Sequence, residues 1–163
     1  SEWMPAFSPL DQRLVYVSKN GRRLCLELIE TDNPEAEPVE ILGPGQQPMF
    51  PRWFPDGQSI LFTSYSDTLP AVCRLSLQSG AVDRIGRLGA EDADISPDGK
   101  LVVMVRQGEL WLHRLSDGYE RPLTQDRAEP LSPCFSPDGN QVIYASTRSG
   151  NYDLWLLDLP VDK

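Results

Sequence analysis

The four-residue sequence SPDG at positions 136–139 places a hydroxyl and a carboxylate side by side, as acid–base or nucleophilic chemistry would require. It recurs at 96–99, and as FPDG at 54–57. The same order of residues suits a type I β-turn, because serine favours the first position, the fixed φ of proline matches the second, and glycine favours the fourth. We therefore interpret Asp56, Asp98 and Asp138 as acceptors that stabilise turns, not as catalytic carboxylates.

Other residues capable of catalysis are few. His113 is the single histidine, it stands in the strand-like run LWLHRL, and no G-x-S-x-G nucleophile motif occurs. The three cysteines, Cys25, Cys73 and Cys134, are far apart and form no C-x-x-C pair, so each is expected to behave as a small buried apolar residue. The sequence thus predicts a protein that is not an enzyme, with no catalytic residue, metal site or cofactor.

One unit is repeated four times along the chain, as FSPLDQRLVYVS, WFPDGQSILFTS, ISPDGKLVVMVR and FSPDGNQVIYAS. The motif prolines are Pro9, Pro55, Pro97 and Pro137, which gives periods of 46, 42 and 40 residues. Apolar residues after each proline recur at a spacing of two, which is typical of a strand with one packed face. A period of about 40 to 45 residues is typical of four-stranded propeller blades.

The remaining strands follow from the same alignment. LCLELIE, VCRLSLQSG, LWLHRLSDG and LWLLDL align as a third strand, and PVEIL, AVDRIGRL and YERPLT as a fourth, which the last copy lacks. In this alignment Trp111 and Trp155 share a core position with Cys25 and Cys73, and equivalent residues of adjacent blades are too far apart for a Cys25–Cys73 disulfide. We predict one all-β domain over residues 1–163, a β-propeller of about four four-stranded antiparallel blades, with repeats at approximately 1–46, 47–88, 89–128 and 129–163.

The third and fourth copies carry a family resemblance. SPDGKLVVMVRQGELWLHRLSDGYERPLT and SPDGNQVIYASTRSGNYDLWLLDL resemble TolB-type, WD-like β-propeller repeats, with S-P-D-G, an alternating strand, S-x-R-x-G, L-W and D-L. The resemblance covers essentially the whole chain and is partial in the first two copies. It implies blades around a central channel. It also implies a family used for protein contacts in the periplasm, in sensor regions of membrane-anchored transcriptional regulators, and as an accessory domain of prolyl-oligopeptidase-like hydrolases.

The position three residues before each motif proline points away from the packed face of its strand, because side chains alternate along a strand. In the four copies this position is occupied by Ala6, Arg52, Asp94 and Cys134. Since the first strand of each propeller blade lines the channel, Arg52 and Asp94 could meet there as an ion pair or as ligands. Glu91 and Asp92 would lie near one mouth of the channel, where they could attract a basic peptide or a cation, unless they belong to a solvated loop. Reversing both charges should weaken such binding with little loss of stability.

The amino-acid composition disfavours some classes of binding partner. The chain carries 15 basic and 24 acidic residues, a net charge of −9, so it is repelled by nucleic acids and by anionic membrane surfaces. No apolar run reaches the length of a membrane span, and the residues SEWMPAF at positions 1–7 lack the basic and apolar segments that are typical of a signal peptide. The resemblance to TolB-type repeats implies a protein or peptide partner and a periplasmic or other extracytoplasmic location, with the cytoplasm left open.

Three arrangements of the blades remain open. The chain could close as a four-bladed ring, form part of a larger propeller, or pair with a second copy into a homodimer that completes the ring. Because the last copy lacks its outer strand and Pro160 interrupts the strand ladder, the sequence favours a set of blades completed by further chain or a second copy. The favoured function is a non-catalytic interaction or sensing propeller, and the alternative is the accessory propeller of a serine hydrolase.

Overall fold

The computed structural model describes residues 1–160, and its chain divides into two compact units, Ser1–Ile85 and a second that starts at Gly86. The first unit contains two antiparallel sheets. Sheet 1 comprises β1 (Glu2–Phe7), β2 (Arg13–Asn20), β3 (Arg23–Glu30) and β4 (Val39–Leu42). Sheet 2 comprises β5 (Pro48–Trp53), β6 (Ser59–Ser64), β7 (Ala71–Ser76) and β8 (Val82–Arg84), and a short 3-10 helix (Pro44–Gln46) precedes it.

The second unit contains two further antiparallel sheets. Sheet 3 comprises β9 (Ala90–Ile95), β10 (Leu101–Arg106), β11 (Glu109–Arg114) and β12 (Glu120–Pro122). Sheet 4 comprises β13 (Leu131–Phe135), β14 (Gln141–Ser146) and β15 (Asp153–Asp158).

The strands of each sheet follow one another in chain order, as in a propeller blade. The predicted all-β fold is confirmed, as is the predicted lack of a fourth strand in the last copy within the part of the chain described. The prediction that the four repeats form one domain stays a prediction. Among residues 1–160 no helix has the length and apolarity that crossing a membrane requires.

Each unit has its core between its two sheets. In the first unit, Val15, Val17 and Leu26 of sheet 1 belong to the same buried cluster as Trp53 and Ile60 of sheet 2. The equivalent cluster of the second unit joins β10 and β11 of sheet 3 to β13 and β14 of sheet 4. The apolar residues spaced by two along the sequence are thus the residues that pack sheet against sheet.

The alignment of Cys25 with the other third-strand residues is wrong. The residues seven after the motif prolines of copies two to four face Cys73, Trp111 and Trp155 across the strand pair. In the first copy that residue, Tyr16, faces Glu27, and Cys25 lies two residues away opposite Ser18. The cause is a longer hairpin, because β2 and β3 each have eight residues instead of six.

The SPDG segments form the predicted turns. The N–H of Gly99 donates to the carbonyl of Ser96 at 2.8 Å, and the N–H of Gly139 makes the same bond to Ser136. Asp98 Oδ1 accepts from the Lys100 N–H at 3.1 Å and from the Ser96 hydroxyl at 2.7 Å. Asp138 Oδ1 accepts in the same way from the Asn140 N–H and the Ser136 hydroxyl. The carboxylates of both SPDG segments therefore stabilise their own turns.

The first copy closes its turn differently. Asp11 stands where the other copies have glycine, and its carboxylate binds the Arg13 guanidinium at 2.9 Å. The bond from Arg13 lowers the pKa of Asp11 to about 2. An ion pair thus replaces the glycine that the other three turns contain.

Replacing the turn carboxylate in Asp98→Ala is expected to lower the free energy of unfolding by about 1 kcal/mol, because two hydrogen bonds lose their acceptor. The hydrogen bond from the Ser96 hydroxyl lowers the pKa of Asp98. Burial raises it by a smaller amount, so the pKa of Asp98 stays below its ordinary value. The contribution is therefore present above pH about 4 and is lost as the pH falls through the folded-state pKa. Urea unfolding at pH 7 and pH 3 measures this, and Asp98→Asn, which keeps one acceptor oxygen, should lose less. An equal loss at both pH values would contradict the role of the carboxylate.

Candidate functional site

The predicted interaction residues of the third copy lie on β9. Glu91 is half-buried, whereas Asp92 and Asp94 are 7% and 9% exposed, so the alternative of a solvated loop does not hold for this segment. Asp94 Oδ2 accepts the backbone N–H of Phe135 at 2.8 Å, and Asp92 Oδ2 accepts that of Ser132 at 2.7 Å. Both carboxylates therefore join sheet 3 to sheet 4.

Asp92 stands at a β-bulge that all four first strands share. The residue five before each motif proline has a positive φ: 55° at Met4, 54° at Phe50, 45° at Asp92 and 50° at Ser132. The strand register shifts at the same place in every sheet. Non-glycine residues adopt this conformation rarely, so its presence at four equivalent positions shows that the bulge is a regular feature of the repeat.

The bulge also carries a bond between successive sheets. Within the first unit, the N–H of Phe50 points to Met4 Sδ at 3.4 Å, and within the second the N–H of Ser132 donates to Asp92. In each case the bulge residue of one sheet offers its side chain to the bulge N–H of the next. The sequence analysis missed this position because its four side chains share no chemistry, and only their common distance from the proline could have revealed it.

The predicted pairing of Arg52 with Asp94 stays a prediction. Arg52 belongs to the first unit and Asp94 to the second. Arg52 is half-buried, and its Nη1 donates to the carbonyl of Pro51 at 3.0 Å.

A buried ionic cluster in sheet 3 contains the single histidine. Glu120 Oε2 lies 2.8 Å from Arg106 Nη1, and Glu120 Oε1 lies 3.2 Å from His113 Nδ1. The side chains of Glu120 and Arg106 are 9% and 5% exposed, and the more exposed Arg87 reaches Glu120 from the surface at 3.5 Å. Burial is the largest single effect on Glu120 and opposes its charge, but the hydrogen bonds and charges of Arg106 and His113 together outweigh burial, so the pKa of Glu120 is lowered. His113 is thus a strand residue of β11 that is hydrogen-bonded to Glu120.

Two neighbours shape this cluster further. The Arg106 guanidinium lies over the ring of Trp111 at 3.9 Å from its centroid, a cation–π contact inside sheet 3. Gly86 has a φ of 68°, and a Cβ at this position would collide with Glu120 Oε1. The backbone therefore passes close over the carboxylate, which only glycine permits.

The repeated sheets and the bonds between them define a β-propeller protein. Residues 1–160 match the family model described as the TolB beta propeller domain (PD40). The chain belongs to the TolB β-propeller domain family.

The chain is similar to two curated proteins. The chain is 32% identical over 131 residues to the Tol-Pal system protein TolB of Anaeromyxobacter dehalogenans. The aligned segment covers 80% of this chain and 21% of that relative. The chain is 26% identical over 151 residues to the uncharacterized peptidase YuxL of Bacillus subtilis, covering 91% of this chain and 22% of the relative. The chain thus spans about a fifth of the length of each.

A solved structure agrees with the fold. The crystal structure of TolB from Acinetobacter baumannii superimposes with a TM-score of 0.83 at 24% identity, over 97% of this chain and 41% of that one. At this identity the likeness establishes the β-propeller fold alone.

Proposed function

We propose that the chain is a non-catalytic propeller that binds a protein or peptide, in a periplasmic or other extracytoplasmic location. The observation that carries the proposal is that the acid–base side chains singled out by the sequence pattern are engaged in structural contacts. His113 is bound to Glu120, Asp98 and Asp138 stabilise turns, and Asp94 holds the backbone of sheet 4. Family membership supports binding, since the resemblance to TolB-type repeats implies protein contacts.

The proposed partner is basic. The chain has a net charge of −9, and β9 places three carboxylates within four residues, so the potential along this strand favours a cationic segment. Glu91 is the residue to vary, because it is half-buried and is the most exposed of the three carboxylates. Asp92 and Asp94 are nearly buried and accept backbone N–H groups, so reversing the charge of Asp92 is no longer expected to leave the stability unchanged. Arg52 is included in the proposal as a channel residue. A second copy of the chain is itself acidic, so it would be a separate protein partner and not the basic one.

Glu91→Lys is expected to reduce capture of a basic protein from extracts of the source cell by roughly tenfold, since one attractive charge becomes repulsive. The purified chain serves as bait, and quantitative mass spectrometry compares it with the variant. Glu37→Lys is the matched control, because it makes the same change of charge at an exposed residue between β3 and β4. Equal loss with both variants would show only a net-charge effect, and unchanged capture with Glu91→Lys would place the site elsewhere.

A sensor region of a membrane-anchored transcriptional regulator is a finer form of the same proposal. The accessory propeller of a serine hydrolase is the second candidate, favoured by the likeness to the peptidase YuxL. The open reading frame around the segment separates them, because a hydrolase domain with a G-x-S-x-G motif would favour the second. A DNA-binding domain with a membrane span would favour the first.

A further inference from the structure

A small cleft lies between the SPDG turns of sheets 3 and 4, inside the second unit. Its volume is about 250 Å³, and its lining residues are Ser96, Pro97, Asp98, Leu101, Asp138 and Gly139. Pockets for larger organic ligands usually measure about 300 to 1,000 Å³, so this cleft has room for a group the size of one long side chain. Two carboxylates and the backbone of two turns make its wall acidic and able to accept hydrogen bonds.

The first unit shows which group fills the equivalent place. Arg13 stands four residues after its motif proline in sheet 1, and its Nη2 donates to the carbonyl of Gly57 in the turn of sheet 2 at 2.7 Å. The guanidinium lies over the ring of Trp53 at 4.9 Å from its centroid, and the Asp11 carboxylate neutralises it at 2.8 Å. A carbonyl, an aromatic ring and a carboxylate therefore hold a guanidinium between two motif turns.

The second unit repeats these surroundings without the guanidinium. The residues equivalent to Arg13, Gly57 and Trp53 are, in that order, Leu101, Gly139 and Phe135. The turns of sheets 2 and 4 have the same backbone, because φ is 63° at Gly57 and 69° at Gly139, and each glycine N–H donates to the carbonyl three residues earlier. Leu101 lines the cleft at the position from which Arg13 reaches its neighbouring turn. The cleft thus lies where the first unit holds its guanidinium.

Different residues supply the negative charge in the second unit. Asp98 is equivalent to Leu10, and Leu10 Cδ1 lies 3.0 Å from the point that a Cβ on Gly57 would occupy. The side chain at this position therefore faces the turn of the next sheet, and in the second unit it is a carboxylate. Lys100 Nζ lies 3.5 Å from Asp98 Oδ2, but the two side chains are 76% and 54% exposed, so water screens this pair.

We propose that the cleft binds the guanidinium of an arginine in a protein or peptide partner. The Gly139 carbonyl accepts from it as the Gly57 carbonyl accepts from Arg13. The carboxylates of Asp98 and Asp138 balance its charge. A guanidinium suits these groups better than an ammonium does, because its planar fork donates to two acceptors at once and stacks on aromatic rings.

The proposed arginine site is separate from the basic partner proposed at Glu91. Glu91 stands near the start of β9, whereas Ser96 and the cleft follow the end of that strand. The two proposals depend on different residues, so the failure of one leaves the other standing.

Nuclear magnetic resonance of the isotope-labelled chain tests the site with a small probe at constant ionic strength. The probe is N-acetyl-arginine N-methylamide, which has the arginine side chain and no charged termini. It should shift the amide signals of the two SPDG turns saturably, with a dissociation constant on the order of 1 mM for so small a ligand. The lysine analogue should bind roughly tenfold more weakly or worse. Equal binding of both probes, or no saturable shift in these turns, overturns the proposal.

Free arginine separates the two sources of a guanidinium. Its own carboxylate is repelled by the two aspartates of the cleft, so it should bind more weakly than the blocked probe. Tighter binding of free arginine would assign the cleft to the amino acid and overturn the assignment to a protein or peptide partner.

Two substitutions test the carboxylates. Asp98→Asn and Asp138→Asn should each weaken binding of the probe roughly fivefold or more, because each removes one of two charges that a guanidinium meets. Asp117→Asn is the matched control, at a 52% exposed carboxylate in another turn of sheet 3, and it should bind like the wild type. The same effect in all three variants would show only attraction by net charge and would overturn the site.

Leu101→Arg rebuilds the arrangement of the first unit. Its guanidinium should occupy the cleft as Arg13 occupies the equivalent place, and the probe should no longer bind. Because Leu101 is 4% exposed, the same spectra must show that this variant is folded, and the two aspartate variants test the site without it. A folded Leu101→Arg chain that binds the probe as tightly as the wild type would contradict the proposed position of the guanidinium.

Discussion

Trp53→Ala is expected to lower the free energy of unfolding by about 3 to 5 kcal/mol, the cost of removing a large buried aromatic side chain. Trp53 is 6% exposed in the core of the first unit, and its Nε1 donates to the carbonyl of Ala6 at 2.9 Å, across from sheet 2 to sheet 1. The Arg13 guanidinium covers the ring at 4.9 Å from its centroid. Urea unfolding followed by circular dichroism measures the loss.

The matched control is Phe7→Ala, at the same repeat position in sheet 1. Because Phe7 is 67% exposed, its loss in the isolated chain should cost about 0.5 kcal/mol or less. Trp53→Phe should fall between the two, since it keeps most of the apolar area and loses the hydrogen bond. Similar costs for Trp53→Ala and Phe7→Ala would contradict the packing of sheet 2 on sheet 1.

Glu120→Gln is expected to cost about 3 kcal/mol or more, because it leaves the buried Arg106 without its counter-charge. The substitution keeps the shape of the side chain, so the effect reports charge and hydrogen bonding more than volume. Asp117→Asn is the matched control in the same sheet. Asp117 pairs with Arg114 at the surface, with the two side chains 52% and 37% exposed, so water screens the pair and Asp117→Asn should cost much less than Glu120→Gln.

The effect of Glu120 depends on pH in a defined direction. The pKa of Glu120 is lower in the folded protein than its ordinary value, so its contribution is fully present above pH about 4.3. It is lost as the pH falls through the folded-state pKa, because the protonated carboxyl no longer balances Arg106. The stability difference between wild type and Glu120→Gln should therefore shrink on acidification. A difference that stays constant from pH 7 to pH 3 would show that the charge is not the stabilising element.

Much of the fold was predictable because the repeat constrains it locally. Alternation of apolar residues identifies strands without knowledge of their partners, and the SPDG turns depend on neighbouring residues alone. The one alignment error has a local cause, since the eight-residue strands of the first hairpin moved Cys25 two positions away from Cys73, Trp111 and Trp155. A period in the sequence does not reveal where extra residues are inserted.

The bulge and the ionic cluster could not be predicted from the sequence, for a different reason. Met4, Phe50, Asp92 and Ser132 share a backbone conformation but no side-chain chemistry, so no motif marks them. Glu120 meets His113 because β11 and β12 pair in that register, and it meets Arg106 because β10 lies beside β11. Such contacts depend on which strands become neighbours.

The sequence by itself determined the class of fold, the number of repeats and the position of each turn, because these depend on periodicity and on the preferences of adjacent residues. Only the tertiary structure decided which charges are buried together and which apolar faces are covered. Leu26 and Leu154 illustrate the difference, since they are the same residue type at equivalent positions, yet one is 0% and the other 74% exposed. Burial depends on the sheet that packs against a residue, and that sheet is not encoded in the residue or in its neighbours along the chain.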